Sequence, residues 1–238
     1  MILFACSRLS MLVCGMEIQP LAIMRTCFGE KFATPRQPGL CPSAWGRLEF
    51  CDGYRGEDFL RGIEGFSHVW VIFGFHETCD QEWSPTVRPP RLGGNQRVGV
   101  FASRSTYRPN GLGLSLCRLE GVENSLEGPV LLLGGVDLID GTPVYDVKPY
   151  LAYAEAVPDA RCGYAAEAPV LLPVEIESTA TEAFAALPLR DQAIVREALS
   201  QDPRPAAHDD PERLYGATLC GVNVRFRVAD RVRIVQID

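Results

Sequence analysis

From about Glu17 to Val157 the apolar runs are short, rich in β-branched and aromatic residues, and punctuated by Gly and Pro. That punctuation limits the fold more than any other property of the chain, because it leaves room for strands and loops but for few helices. Candidate strands fall at 21–25, 46–50, 69–75, 97–101, 112–120, 130–134 and 144–147. No helical pattern alternates with them, so an antiparallel barrel or sandwich is favoured over a doubly wound parallel sheet.

After Pro158 the pattern changes. The run DARCGYAAEAP reads as a linker, and 171–176 resumes a strand-like pattern. Thr179 followed by Glu182 fits a capping box, which predicts a short helix ended by Pro188. A second helix is expected over 189–200, with Ile194, Val195, Ala198 and Leu199 on one face and a stop at Asp202-Pro203. Val222, Val224, Phe226 and Val228 alternate with Asn223, Arg225 and Arg227, and Ala229-Asp230 turns the chain into Val232, Ile234 and Ile237. This predicts a β-hairpin with one basic edge. The expected organisation is a non-native or disordered extension over 1–15 with translation starting at Met16, a β domain over 16–160, and a small α+β unit over 161–238.

The formal net charge of -7 argues against indiscriminate phosphate binding. A local exception runs from Trp83 to Arg108, where Arg88, Arg91, Arg97, Arg104 and Arg108 occur without a single acid. Only Lys31 and Lys148 are lysines, so bidentate recognition of carboxylate or phosphate is the more available mode. Nine cysteines, odd in number and without a C-x-x-C pair, read as the reduced thiols of a cytoplasmic protein. No apolar run has the length to span a bilayer, so no membrane partner is expected. His68, His76 and His208 offer no metal set, and no metal is expected.

The standard cofactor signatures are missing from the sequence: there is no phosphate loop, no G-x-S-x-G elbow and no H-E-x-x-H. The segment at 130–135 is a strand ending in Gly-Gly, but a turn follows it instead of a helix start, which argues against a dinucleotide fold. Two segments stand out, SRSTYRPNGLGLS at 103–115 and VDLIDGTPVYDVKPY at 136–150. In the first, Gly111 and Gly113 permit close backbone approach to a ligand, and Ser105 and Thr106 can donate to an anion. The second packs two carboxylates, a glycine, a hydroxyl and a proline into seven residues. On physical grounds alone, each is as consistent with a solvated turn as with a binding site.

In order along the chain, EKFATPRQPGL (30–40), FSHVWVIFGFH (66–76), RPPRLGGN (88–95) and the two segments above resemble the TrmO family, also called TsaA-like or YaeB. QDPRP (201–205) and VNVRFRV (222–228) resemble its bacterial C-terminal extension. The resemblance runs from about Glu17 to the C-terminus. It implies a small antiparallel β-barrel with a small α+β C-terminal domain, and an S-adenosylmethionine-dependent tRNA methyltransferase. The implied target is N6 of N6-threonylcarbamoyladenosine beside the anticodon, at position 37, and the cofactor is expected near a homodimer interface.

Carried over by motif, the implied cofactor positions are Pro35, Arg36, Gln37, His76, Glu77, Arg104, Leu114, Asp140, Gly141, Thr142 and Pro143. Glu77 stands where the family commonly has Gln, and Gly111-Leu112 replaces a frequent Pro-Ile. Asp140, oriented by Tyr107, is the candidate general base, although Asp140 can equally serve the cofactor. Arg88, Arg91, Arg108 and Lys148 are the candidates for tRNA phosphate or threonyl-carboxylate contact. The rival readings are a non-catalytic S-adenosylmethionine sensor and a small-molecule methyltransferase.

Overall fold

A computed structural model describes residues 17–205, 208 and 210–238. The expectations for residues 1–15 and for a start at Met16 lie outside the described residues. The N-terminal part contains β1 (Ala22–Thr26), β2 (Trp45–Phe50), β3 (His68–Gly74), β4 (Thr86–Val87), β5 (Val98–Gly99), β6 (Leu112–Ser125), β7 (Gly128–Gly134) and β8 (Thr142–Pro149). Six of these close into an antiparallel barrel in the order β1-β2-β7-β6-β3-β8, with β8 pairing back onto β1. The fold is therefore mainly β, as the punctuation of the sequence predicts.

The alternation of the strands decides what fills the barrel. Met24, Leu48, Val69, Val71, Cys117, Leu131, Leu133 and Val144 point inward and are fully buried, and Ser115 joins them. The expected strand over 97–101 shrinks to the two residues of β5, followed by a single 3₁₀ turn over Val100–Ala102. Its partner β4 is bracketed by Pro85 and Pro89, and proline has no N–H to continue a ladder.

Beyond the barrel come α1 (Ala152–Glu155), β9 (Val174–Ile176), α2 (Thr181–Ala186), α3 (Leu189–Ser200), β10 (Tyr215–Leu219), β11 (Val222–Val228) and β12 (Val232–Ile237). The sheet order is β10-β11-β12-β9, with the hairpin of β11 and β12 as expected and β9 parallel to β12. The helix α3 has the expected bounds, and Ile194, Val195, Ala198 and Leu199 are its buried residues. The capping box is not formed. Thr179 Oγ1 donates instead to the Val235 carbonyl at 2.7 Å, and α2 starts two residues later behind Ala180.

The C-terminal unit grips the loop that joins β1 to β2. Phe28 and Leu219 form an antiparallel bridge, and the Cys220 N–H donates to the Cys27 carbonyl at 2.7 Å. Glu197 on α3 accepts from both the N–H and the hydroxyl of Ser43, each at 2.8 Å. Phe32 stacks on Tyr215 and Phe226 with ring centroids 6.1 and 6.2 Å away. Residues 27–44, which would otherwise be a long unsupported loop, are thereby held in place.

Candidate functional site

Antiparallel pairing places the C-terminal ends of β1, β3 and β7 and the N-terminal ends of β2, β6 and β8 at one end of the barrel. Three connections meet there: residues 27–44, residues 75–111 and residues 135–141. Every cofactor position carried over by motif lies on one of these connections or on the first residues of β6 and β8.

Residues 135–141 close the barrel end and are nailed to β1 by backbone bonds. The N–H of Asp140 donates to the Phe28 carbonyl and that of Gly141 to the Met24 carbonyl, both at 2.8 Å. Gly141 has φ +81°, the left-handed region that a side chain would strain. Thr142 is buried, and its hydroxyl donates back to the Ile139 carbonyl at 2.7 Å. Thus the turn that the sequence left open between solvent and site is a rigid, fully bonded lip. Its only exposed charge is Asp140, whose two carboxylate oxygens are engaged: Oδ1 accepts from the Thr26 N–H at 3.0 Å, and Oδ2 lies 3.7 Å from Arg25.

The first connection carries Pro35, buried, then Arg36, exposed, and Gln37, half-buried. Gly39 N–H donates to the Gly135 carbonyl at 2.8 Å, which joins this connection to the closing segment. The second connection carries His76 and Glu77 in a 3₁₀ turn directly after β3. The Phe75 N–H donates to the Gly111 carbonyl at 2.8 Å, and the Thr78 hydroxyl to the Thr106 carbonyl at 3.3 Å. These bonds fold the two ends of the long connection onto each other. Arg104 then reaches across to Gln37 Oε1 at 2.5 Å, and the Lys31 ammonium sits 5.1 Å from the Tyr107 ring centre. The first connection is therefore bound to each of the other two.

The two glycines of the NGLG run have duties other than ligand approach. Asn110 and Gly111 take φ +65° and +56°, which produces the tight turn into β6. A Cβ on Gly113 would lie 2.4 Å from the Phe73 ring, its cross-strand partner, so the space is filled by protein. Leu114, by contrast, points outward and is 49% exposed.

Not every expected residue joins the cluster. Lys148 lies six residues along β8 from Thr142, about 20 Å away by strand rise, and pairs with Asp146 at 2.9 Å. Tyr107 and Asp140 share no hydrogen bond among the described residues; their partners are Lys31 for one and Thr26 and Arg25 for the other. Arg108 donates to the Ser103 carbonyl at 3.1 Å and stiffens the loop, Arg91 donates to the Glu167 carbonyl, and Arg88 is exposed. Asp137, one of the two carboxylates noted in the segment at 136–150, received no role from the sequence. Its Oδ1 accepts from Ser115 Oγ at 2.6 Å, and burial lifts its carboxyl to about 6 against the opposing pull of that bond and of the Arg104 charge. The signal available in the sequence was a lone acid between the apolar Val136 and Leu138.

Among the described residues no group of His, Cys, Asp and Glu is placed to hold a metal ion, and no helix is long and apolar enough to cross a membrane. A shallow cleft of about 110 Å³ borders Gly39, Gly135, Leu116 and Arg118. That is well below the roughly 300–1,000 Å³ of enclosed small-molecule sites, and none of the cofactor positions carried over by motif lines it.

Residues 23–156 match the family model of the tRNA-methyltransferase O N-terminal domain, and residues 166–238 match that of the TrmO C-terminal domain. The chain is 46% identical over 224 residues to a tRNA (adenine(37)-N6)-methyltransferase of Escherichia coli, covering 90% of this chain and 94% of the other. It is 43% identical over 228 residues to a Pseudomonas aeruginosa relative whose name places it among S-adenosylmethionine-dependent methyltransferases, covering 93% of this chain and 97% of that one. Among solved structures, TrmO from Pseudomonas aeruginosa superposes with a TM-score of 0.77 at 38% identity, covering 94% of this chain and 98% of that one.

Proposed function

The chain belongs to the tRNA-methyltransferase O family, and from that membership we propose that it is an S-adenosylmethionine-dependent methyltransferase acting on N6 of adenosine 37 in tRNA. The finer reading is that the adenosine already carries an N6-threonylcarbamoyl group. The observation that carries the proposal is the convergence of the three connections on one barrel end, bonded to each other through Gln37, Arg104, Gly39 and Gly135.

The donor set fits the cofactor. Arg36 and Arg104 suit its carboxylate, the carboxylates of Glu77 and Asp140 suit its amino and sulfonium charges, and the exposed Leu114 suits the adenine face. Pro35, Gln37, His76, Gly141, Thr142 and Pro143 complete the wall. When bound, the cofactor supplies a methyl group on a positively charged sulfur. The protein's share is alignment and charge: the bonded lip of residues 137–142 holds its shape without reorganisation, and the Arg104–Gln37 bond fixes the facing wall. Arg88, exposed, and Arg91, which also donates to the Glu167 carbonyl, stand on the acid-free stretch and are assigned to tRNA phosphates, with Arg108 holding the loop that presents them. Lys148 is assigned to more distant RNA.

The outward, exposed Leu114 supports a homodimer in which a second copy covers the cofactor. The C-terminal unit braces residues 27–44 and extends the RNA surface through its basic hairpin edge. A cytoplasmic location accords with these roles. The test is nucleoside mass spectrometry of tRNA from cells lacking the gene: the methylated nucleoside should vanish and its threonylcarbamoyl precursor accumulate. An unchanged nucleoside profile would refute the reading.

A further inference from the structure

Methylation of an N6–H nitrogen releases a proton, and Asp140 is not the group to take it, because its Oδ1 accepts from the Thr26 N–H and its carboxylate is assigned to the cofactor's positive charges. Asp137 stands three residues earlier in the same closing segment. Its neighbours Val136 and Leu138 are buried, which fixes the backbone, and the half-buried Asp137 side chain reaches the inner face of β6 at this end of the barrel. There it meets Ser115, the residue after Leu114, whose hydroxyl is 1% exposed and donates to it at 2.6 Å.

Two further groups act on this carboxylate. The Arg104 charge, on residues 75–111, acts on it electrostatically, with one of its nitrogens already committed to Gln37. Cys117 faces it from the inner side of β6, a thiol that burial and the Asp137 charge keep protonated. The carboxylate thus has one oriented oxygen, one nearby positive charge and partial shelter from water. Along the chain, its partner Ser115 follows Leu114 and Asp137 itself precedes Asp140 by three residues, two positions assigned to the cofactor.

We infer that Asp137 is the proton acceptor of the reaction, with Ser115 as its positioning residue; the inference rests on the tRNA-methylation reading. As the nitrogen lone pair forms the N–CH₃ bond, the S–CH₃ bond breaks and its electron pair stays on sulfur, leaving a neutral thioether. The N6–H bond breaks with its pair retained on nitrogen, and the proton passes to the Asp137 carboxylate and then to water. The adjacent carbamoyl carbonyl makes this N–H more acidic than that of a plain adenine amine, so a carboxylate titrating a little below neutrality is a competent base.

The experiment uses the full chain, deuteromethyl S-adenosylmethionine and tRNA carrying the threonylcarbamoyl group, with turnover followed from about pH 5 to about pH 9. Asp137→Asn should lower kcat about 100-fold or more, keep the cofactor KM within about threefold, and lose the acidic limb of the profile. Ser115→Ala should shift that limb to higher pH. Asp140→Asn should move KM and leave the limb in place. A readout independent of turnover is thermal melting: Asp137→Asn should melt higher than wild type at pH 8 and match it near pH 4. A kcat within about threefold of wild type in Asp137→Asn, an unchanged acidic limb, or loss of cofactor binding as the sole defect would overturn this assignment alone. Failure of the wild-type chain to label tRNA would overturn the methylation reading, and this assignment with it.

Discussion

Gly113→Ala tests how the barrel end is packed. A Cβ there would sit 2.4 Å from Cζ and 2.5 Å from Cε2 of Phe73, against the 3.4 Å or more of ordinary contact. Phe73 cannot swing into solvent, because it is 7% exposed and packs edge-on against Phe75 at 5.3 Å. One of the two rings must therefore give by about 1 Å, and such overpacking costs about 1–3 kcal/mol. For a chain of this length that lowers the melting temperature by roughly 3–10 °C, measurable by calorimetry. Since Phe75 leads directly into His76, the cofactor Kd should rise as well. Phe73→Leu frees the same volume, so the double variant should melt higher than the sum of the single effects by at least about 1 kcal/mol. Strict additivity of the two substitutions would refute the packing argument.

Arg104→Ala removes a charge-assisted bond to Gln37 and an assigned carboxylate contact, and should weaken S-adenosylmethionine binding by about tenfold or more in titration calorimetry, with little change in melting. Glu197→Ala strips three donors on residues 41–43 of their acceptor and should destabilise the chain by about 2 kcal/mol in urea, loosening the connection that carries Pro35 to Gln37. Asp137 has a folded pKa raised above its unfolded value, so its contribution favours the native state at low pH and is lost as pH rises through about 6. Asp137→Asn should accordingly stabilise the chain at pH 8 by about 1–3 kcal/mol, and an equal or lower melting point there would contradict the burial argument. Arg88→Glu with Arg91→Glu should raise the KM for tRNA with little effect on cofactor binding; unchanged tRNA transfer would favour a small-molecule substrate.

The strands and α3 were readable because their period-2 and 3.6-residue patterns coincide with burial, as Met24, Leu48 and Val71 show on one side and Ile194 and Leu199 on the other. The strand β10 was not, since Tyr215–Leu219 alternates through Gly216 and Ala217, which carry little hydrophobic contrast. The Thr179 capping box failed because its hydroxyl is committed as a donor to a tertiary partner, the Val235 carbonyl, and does not accept from the Glu182 N–H. At the site, residue identities were legible only through family motifs. Their physical duties were not: Gly113 makes room for Phe73, and Asp140 anchors a turn to β1. Asp137 was counted as one of two carboxylates of its segment but given no role, because its environment is assembled from β6 and the Arg104 loop, contacts that no local sequence window contains.

The most direct test of the central claim is a single reaction of the purified chain with deuteromethyl S-adenosylmethionine and two tRNA pools, one with and one without the threonylcarbamoyl group, read by nucleoside mass spectrometry. The account predicts label on N6 of the threonylcarbamoylated adenosine in the first pool and none in the second. Label on another nucleoside, equal labelling of both pools, or cofactor binding without any transfer would contradict it.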